Sequence, residues 1–535
     1  MLEHLELIIF VLLVAVAGLV QLSRVFGVPY PTFLVLGGLA LGLIPGLPET
    51  RLPPNLVFLI FLPPLLYSAA FFFSPRQFKV YIRPIALLGI GLVLLTAVTV
   101  AVVTHVAVGL SWSAAFVLGV IVSPTDPVAA TAIVSRLGVP RRIAAILEGE
   151  SLINDGVALV LYRTAVAAAV MGSFSVSEAG LDFVLSSIGG VAIGLLVGWA
   201  IARVRWWVED PLVEITISLF TGYAAYVPAE ELGVSGILAV VAAGIYLGWH
   251  SPVMTAPRAR LQAFSVWEVV PFLLNSVLFI LIGLQLPTIL EGLSGEYSMG
   301  SVILYAALVG LTVIVTRLLW VFPKAYLPRR LLPRRLRELD PYPPWQHVVV
   351  IGYTGMRGAV SLAAALSLPL TIEGGAPFPE RDLILFLTFC VILVTMVPQG
   401  LSLPFIIRRL DLAGDVAEEE REEIEARRLA AEAGLARIDE LTEEEWVPEQ
   451  TVERMRDLYE FRRRRFAARL TGQPENGEDG DAYEEHSQAY QRFRRELLGA
   501  EREELLRLRD QGRLSDEARR RIERDLDLED ARLEI

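Results

Sequence analysis

The sequence predicts an all-α polytopic membrane protein of about thirteen transmembrane helices, followed by a soluble helical tail. Three observations carry this. Of the 535 residues 54% are hydrophobic and the mean hydropathy is +0.53, which sets the chain apart from soluble proteins. Apolar runs of the ~20 residues needed to cross a bilayer recur from the N-terminus to Leu410. Past Leu410 the composition turns to Glu, Arg, Ala and Leu, with no run of membrane length.

The spans fall at roughly 5–22, 31–47, 55–73, 83–109, 113–135, 142–171, 182–206, 211–228, 235–249, 263–287, 299–322, 346–370 and 382–407. The first has neither a basic flank nor a small-residue cleavage site, so a retained helix is expected rather than a signal peptide. Lys and Arg concentrate in alternate loops: Arg24, Arg76/Lys79/Arg83, Arg136/Arg141/Arg142, Arg203/Arg205, Arg258/Arg260, Lys324 to Arg337 and Arg408/Arg409. The opposite loops carry Arg51 and Arg381 among acids such as Glu230, Glu231, Glu291 and Glu296. That bias places the odd-numbered loops and the C-terminus in the cytoplasm and the N-terminus outside, as for a multi-pass plasma-membrane protein. An odd number of spans is required for this.

The expected division is therefore a transmembrane domain, 1–410, and a cytoplasmic helical tail, 411–535. Within the tail, 416–441 and 484–527 show apolar residues at helical spacing. The stretch TGQPENGEDGDA, Thr471 to Ala482, breaks between them. Mixed acids and bases with no basic, aromatic face exclude nucleic acid as a partner and leave a regulatory appendage. The single cysteine, Cys390, excludes an internal disulfide framework and a cysteine metal site.

Charges inside the spans are the informative residues, because each costs at least ~2.5–3.5 kcal/mol to insert at the bilayer centre. GESLINDGVALVLY, Gly149 to Tyr162, puts Asp155 near the middle of the sixth span. Ser151 lies four residues earlier, about 40° away on the helix, and Asn154 is adjacent. The face offers a carboxylate, a hydroxyl and an amide, oxygen ligands suited to a small hard cation. Glu150 is about 140° around the helix from Asp155 and is expected to serve another partner. Glu148, nearer the cytoplasmic end, reads equally well as an interfacial acid. His105 and His347 lie near span ends and carry no expectation.

Two spans should be interrupted. In the fifth, SPTDPVAA (Ser123 to Ala130) holds Pro124 and Pro127, each lacking an amide donor, with Thr125 and Asp126 between them. In the twelfth, GYTGMRGAVSLAAAL (Gly352 to Leu366) surrounds Arg357 with Gly352, Gly355 and Gly358. Free backbone in a membrane is tolerated only where it lines a cavity or a site. Two such helices in separate halves of the chain point to crossed, interrupted helices in an inverted-repeat secondary transporter. Arg357 is the expected partner of Glu150, as a structural ion pair.

These motifs resemble one family. GESLINDG, SPTDPVA and GMRGAVSLAAAL, with FLPPLLYSAAFFFSPRQF (Phe61 to Phe78) before them, are similar to the sodium/proton exchanger branch of the monovalent cation:proton antiporters. The motifs occur in the family's order, and the likeness covers essentially all of 1–410. It implies a dimeric, thirteen-helix fold with a mobile ion-binding core domain and a static dimer domain. It further implies that Asp155 binds cation and proton alternately. Asn154 would stand beside it, with Ser151 and Thr125 supporting and Asp126 at the helix crossing. Asp155, Ser151 and Thr125 would then hold a monovalent cation, sodium first, with potassium or lithium as alternatives. Glu150 and Arg357 match the family's acid and arginine pair. The Asn–Asp pair goes with electroneutral one-for-one exchange, serving pH and salt homeostasis, with no cofactor. One departure stands out: Ser68, after Tyr67, occupies the third-span position where many relatives carry an acid.

The residues themselves agree with cation/proton exchange. Removal from water favours the neutral forms of a carboxylate, protonated or cation-bound, and a neutralised site crosses a barrier more cheaply. On this reading the chain transports ions and makes or breaks no covalent bond. A channel would show a symmetric filter motif, and none is present. A symporter of organic anions would need further cationic groups around a roomy site.

Overall fold

A computed structural model of the chain describes residues 2–44, 54–171, 176–293, 298–331, 343–372, 375–410, 412–442, 444, 446–471, 480–511 and 513–533. Arg51, Glu296, the basic residues Arg334 to Arg337 and most of the 471–482 break lie outside them. The described secondary structure is helical apart from an isolated bridge between Thr371 and Pro377. Two compact units emerge, 1–413 and 414–535.

In the first unit the described part of each segment expected to span the bilayer is mainly helical, either as one helix or as two halves. The helices not split in two are Leu2–Phe26, Tyr30–Gly42, Pro54–Phe72, a long helical stretch Pro75–Val108 kinked at Tyr81, Arg141–Met171, Val176–Arg205, Pro211–Glu231, Gly236–Met254, Pro257–Leu284, Met299–Leu331 and Arg381–Leu410. Among the described residues, 8 helices are long and apolar enough to cross a membrane unaided. The fifth span is split into Trp112–Ile121 and Pro127–Arg136, and the twelfth into Trp345–Tyr353 and Ala359–Leu366. Both interruptions fall where proline or glycine predicts them.

Helix starts follow local chemistry. Ser74, Asp126 and Asp210 each precede a proline at the first helical position, and their side chains accept from Gln77, Val128 and Leu212 amides at 3.4, 2.9 and 2.7 Å. The capping oxygen satisfies an amide the helix leaves free, and proline lacks one there anyway. The long stretch 75–108 contains two π-helical turns, Leu87–Leu92 and Thr104–Val108, which the periodicity did not announce. In the first, Trp320 donates its indole N–H to the Leu87 carbonyl at 2.9 Å.

The helices assemble in two layers. One contains the first three helices with 176–205, 211–231, 236–254 and 257–284; the other contains 75–108, both broken helices, 141–171, 299–331 and 381–410. Without hydrophobic drive between helices in lipid, close backbone approach decides such packing. Gly38 and Gly283 show this. A methyl on Gly38 would lie 2.3 Å from the Ile280 carbonyl, and one on Gly283 would lie 2.4 Å from that of Val35.

The second unit forms helices Ala413–Leu441, Glu449–Thr471, Gly480–Asp510 and Asp516–Leu533. The segment 484–527, with apolar residues at helical spacing, falls on two helices that form a hairpin. The helix ends near 511, and Ser515 caps the next by accepting from Ala518 N at 3.2 Å. The two arms close over Leu498, Leu505 and Leu526 and are pinned by Arg494–Glu529 (2.6 Å) and Arg502–Asp527 (2.8 Å). Apolar spacing continues across the turn because both arms bury residues against each other.

Candidate ion-binding site

The broken helices cross where their chains are unwound. Asp126 donates its backbone N–H to the Met356 carbonyl at 2.8 Å. Its carboxylate accepts from Val128 N at 2.9 Å and from the Ala359 amide, so one side chain caps the second half-helix of each broken span. This needs Gly358: a methyl there would lie 1.8 Å from an Asp126 carboxylate oxygen.

The long helix 141–171 passes beside this crossing and presents two faces. On one, Asp155 and Ser151 line a cavity of about 310 Å³, with Ser151 close enough to hydrogen-bond the Asp155 carboxylate. Thr125 and Asp126 form the wall opposite, and Glu148 and Ser68 also line it. Asp155 is 7% exposed, and among the described residues no Lys or Arg pairs with it. Ser68 donates to its own helix, to Leu65 O at 2.9 Å, so the position of the expected third-span acid adds no charge.

The other face holds Glu150, 1% exposed. Its partner is Arg317, not Arg357. The Arg317 guanidinium grips both carboxylate oxygens, at 2.5 and 2.9 Å, and also donates to the Ile351 carbonyl at 2.9 and 3.2 Å. Ile351 precedes the second break, where the missing helical turn leaves carbonyls without partners. Gly355 makes room: a methyl there would lie 2.4 Å from Arg317 Cδ. Thr125 donates its hydroxyl to the same carboxylate, to Glu150 Oε1, at 2.9 Å. Glu150 thus ties the long helix to both breaks. Arg317 was missed because it sits in a span with no recognisable motif. The signal was present, since a lone charge within an apolar run is a functional candidate by default.

Arg357 has a different task from the expected one. Fully buried, it donates to the Ser123 carbonyl at the open C-terminal end of the half-helix 112–121, and its own backbone N–H goes to Thr395 Oγ1 at 3.1 Å. A cation at a helix C-terminus meets the negative end of the dipole, which explains the placement. Asn154 also departs from expectation. Its amide donates to Thr125 Oγ1 at 2.7 Å and does not line the cavity. His105 donates its Nδ1–H to the Leu110 carbonyl (2.8 Å) and stacks on Trp112, a structural contact.

The arrangement has the Asp155 carboxylate with hydroxyl oxygens around it, beside unwound backbone and open to a cavity that Asp126 and Glu148 also line. Hard monovalent cations and protons are the species such a site can take in turn. Comparison with known proteins agrees. The family model "Sodium/hydrogen exchanger, transmembrane" matches residues 10–409. The chain belongs to the sodium/hydrogen exchanger family.

An exchanger of Mycobacterium bovis, described as an uncharacterized Na(+)/H(+) exchanger, is 36% identical over 531 residues, covering 98% of this chain and 96% of that one. A Bacillus pumilus protein described as a sodium, potassium, lithium and rubidium/H(+) antiporter is 34% identical over 75% of this chain and 62% of its own. The solved sodium proton antiporter of Methanocaldococcus jannaschii shares the fold, with a TM-score of 0.58 at 21% identity, over 76% of this chain and 99% of that one. As a sodium/hydrogen exchanger the protein is a multi-pass secondary antiporter of protons and monovalent cations, and not an enzyme.

Proposed function

We propose that Asp155 is the shared site at which this exchanger takes either a proton or a sodium ion, one for one, with Ser151 and Thr125 as further oxygen ligands. The observation that carries this is an unpaired carboxylate in the cavity at the crossing of the broken helices. Asp126 lines the same cavity but is engaged by two helix amides, and Asn154 and Glu150 hold Thr125 in place. With one exchanging carboxylate, each turnover carries one charge either way, which supports electroneutral exchange.

Competition follows. Below the site's pKa, apparent cation affinity should weaken roughly tenfold per pH unit while the maximal rate changes little. A panel of sodium, lithium and potassium against pH in dye-loaded vesicles tests it, together with a potential-sensitive dye that should stay silent. An affinity indifferent to pH, or a potential response, would reject the reading.

The cavity is lined by Glu148, Phe72 and Thr131, all on the side of the basic loops, so this conformation faces inward on the charge-bias orientation. The protein would work as a homodimer in the plasma membrane, with the N-terminus outside and the tail cytoplasmic, for pH and salt homeostasis. The mass of the solubilised particle and protease access to the tail in inside-out vesicles check these placements.

The tail would regulate rather than transport, since it is a separate compact unit with no apolar run of membrane length. Truncation after residue 412 should leave exchange measurable with an altered pH or cation dependence. Complete loss of transport in a truncated, folded protein would show instead that the tail is part of the transport unit.

A further inference from the structure

A second cavity, of about 220 Å³, lies wholly within the layer that does not carry Asp155, between helices 54–72, 211–231, 236–254 and 257–284. Its charged lining is Arg205, Glu214 and Arg260. Arg205 is 5% exposed and uses one guanidinium nitrogen for Glu214 and, at 3.0 Å, for Thr255 Oγ1. Its other two nitrogens, Nε and NH1, are buried and meet no acceptor. Arg260 donates to the carbonyls of Pro252 and Thr255 at 3.1 and 3.0 Å, and its Nε likewise meets none. Buried polar groups are nearly always satisfied, so three idle guanidinium donors around one cavity call for an acceptor. Glu214 balances Arg205 and leaves Arg260 unneutralised. The missing acceptor is an anion.

The surroundings say what kind. Trp206 and Trp207, directly after Arg205, are 65% and 77% exposed, and Arg203 sits over the Trp207 ring. Exposed tryptophans beside arginines mark the headgroup level of a bilayer. The mouth of the cavity carries Phe72 and Phe264, in ring contact at 5.3 Å and both exposed. A polar floor with planar, phosphate-matching donors under an apolar, lipid-level mouth suits an amphiphile with a phosphate head. We propose that the Arg205–Arg260 cavity binds the phosphate headgroup of an anionic phospholipid.

Thermal melting of the full chain in neutral detergent tests this, titrated separately with dihexanoyl phosphatidic acid, inorganic phosphate and dihexanoylglycerol. A ligand that binds only the folded state raises the melting temperature saturably. Phosphatidic acid should do so, inorganic phosphate only at far higher concentration, and the uncharged diacylglycerol not at all. Arg260→Gln, and the paired Arg205→Gln with Glu214→Gln, should each weaken the apparent affinity for phosphatidic acid by about tenfold or more, the scale of losing a charge-assisted bond. Where a glutamine variant fails to fold, Arg260→Lys, which keeps the charge and loses the fork, should give a smaller weakening. Equal responses of wild type and variants, or of diacylglycerol and phosphatidic acid, would overturn the anion site. Inorganic phosphate as potent as phosphatidic acid would overturn the lipid as its source.

Discussion

Asp155→Asn is expected to insert and fold like the wild type, yet to show no proton-coupled cation exchange at any pH from 6 to 9. The substitution keeps the size and planarity of the side chain and removes its titratable group. Because Asp155 makes no ion pair among the described residues, its loss strands no buried opposite charge, and stability should be kept or improved. Stability and transport should therefore separate. Vesicles loaded with a pH dye and challenged with sodium or potassium report the transport, and melting in detergent reports the fold. Robust exchange by the Asn variant would place the site elsewhere, with Asp126 and Glu148 the other carboxylates in the cavity.

Breaking the Glu150–Arg317 pair should have the opposite signature, with stability and transport falling together. Both side chains are almost fully buried, at 1% and 2% exposure, so removing one partner leaves a charge without compensation. Such losses run to ~3–5 kcal/mol. Glu150→Gln also removes an acceptor that holds Thr125 and Arg317 in place, which loosens both breaks at once. Glu150→Gln combined with Arg317→Met should be clearly less damaging than the two single losses added together. The same cycle built with Arg357 in place of Arg317 should be closer to additive, because Arg357 bonds to the Ser123 carbonyl instead. Melting temperatures of the singles and doubles decide it. Coupling to Arg357 rather than to Arg317 would reverse the assignment.

Much of this was legible in order along the chain. Bilayer-length apolar runs required helices, since lipid leaves no other partner for the backbone. The four-residue spacing of Ser151 and Asp155 put them on one face, and they line one cavity. Pro124, Pro127 and the glycines around Arg357 announced both interruptions because they act on their own backbone. These are local effects, and periodicity reports them.

What only the tertiary structure decided was partnership. Glu150 has Thr125 25 positions away and Arg317 167 positions away, and nothing in the spacing ranks Arg317 above Arg357. The choice depends on which helix lies against which face of 141–171, and close packing at Gly355 lets Arg317 in. Asn154 looked like a ligand by adjacency, but one step on a helix is a turn of about 100°, enough to aim it at Thr125 instead of the cavity. The hairpin of the tail was hidden for a related reason: two arms that bury each other keep the apolar spacing of one long helix. A sequence states what each residue requires of its surroundings, and the fold decides which of several eligible neighbours supplies it.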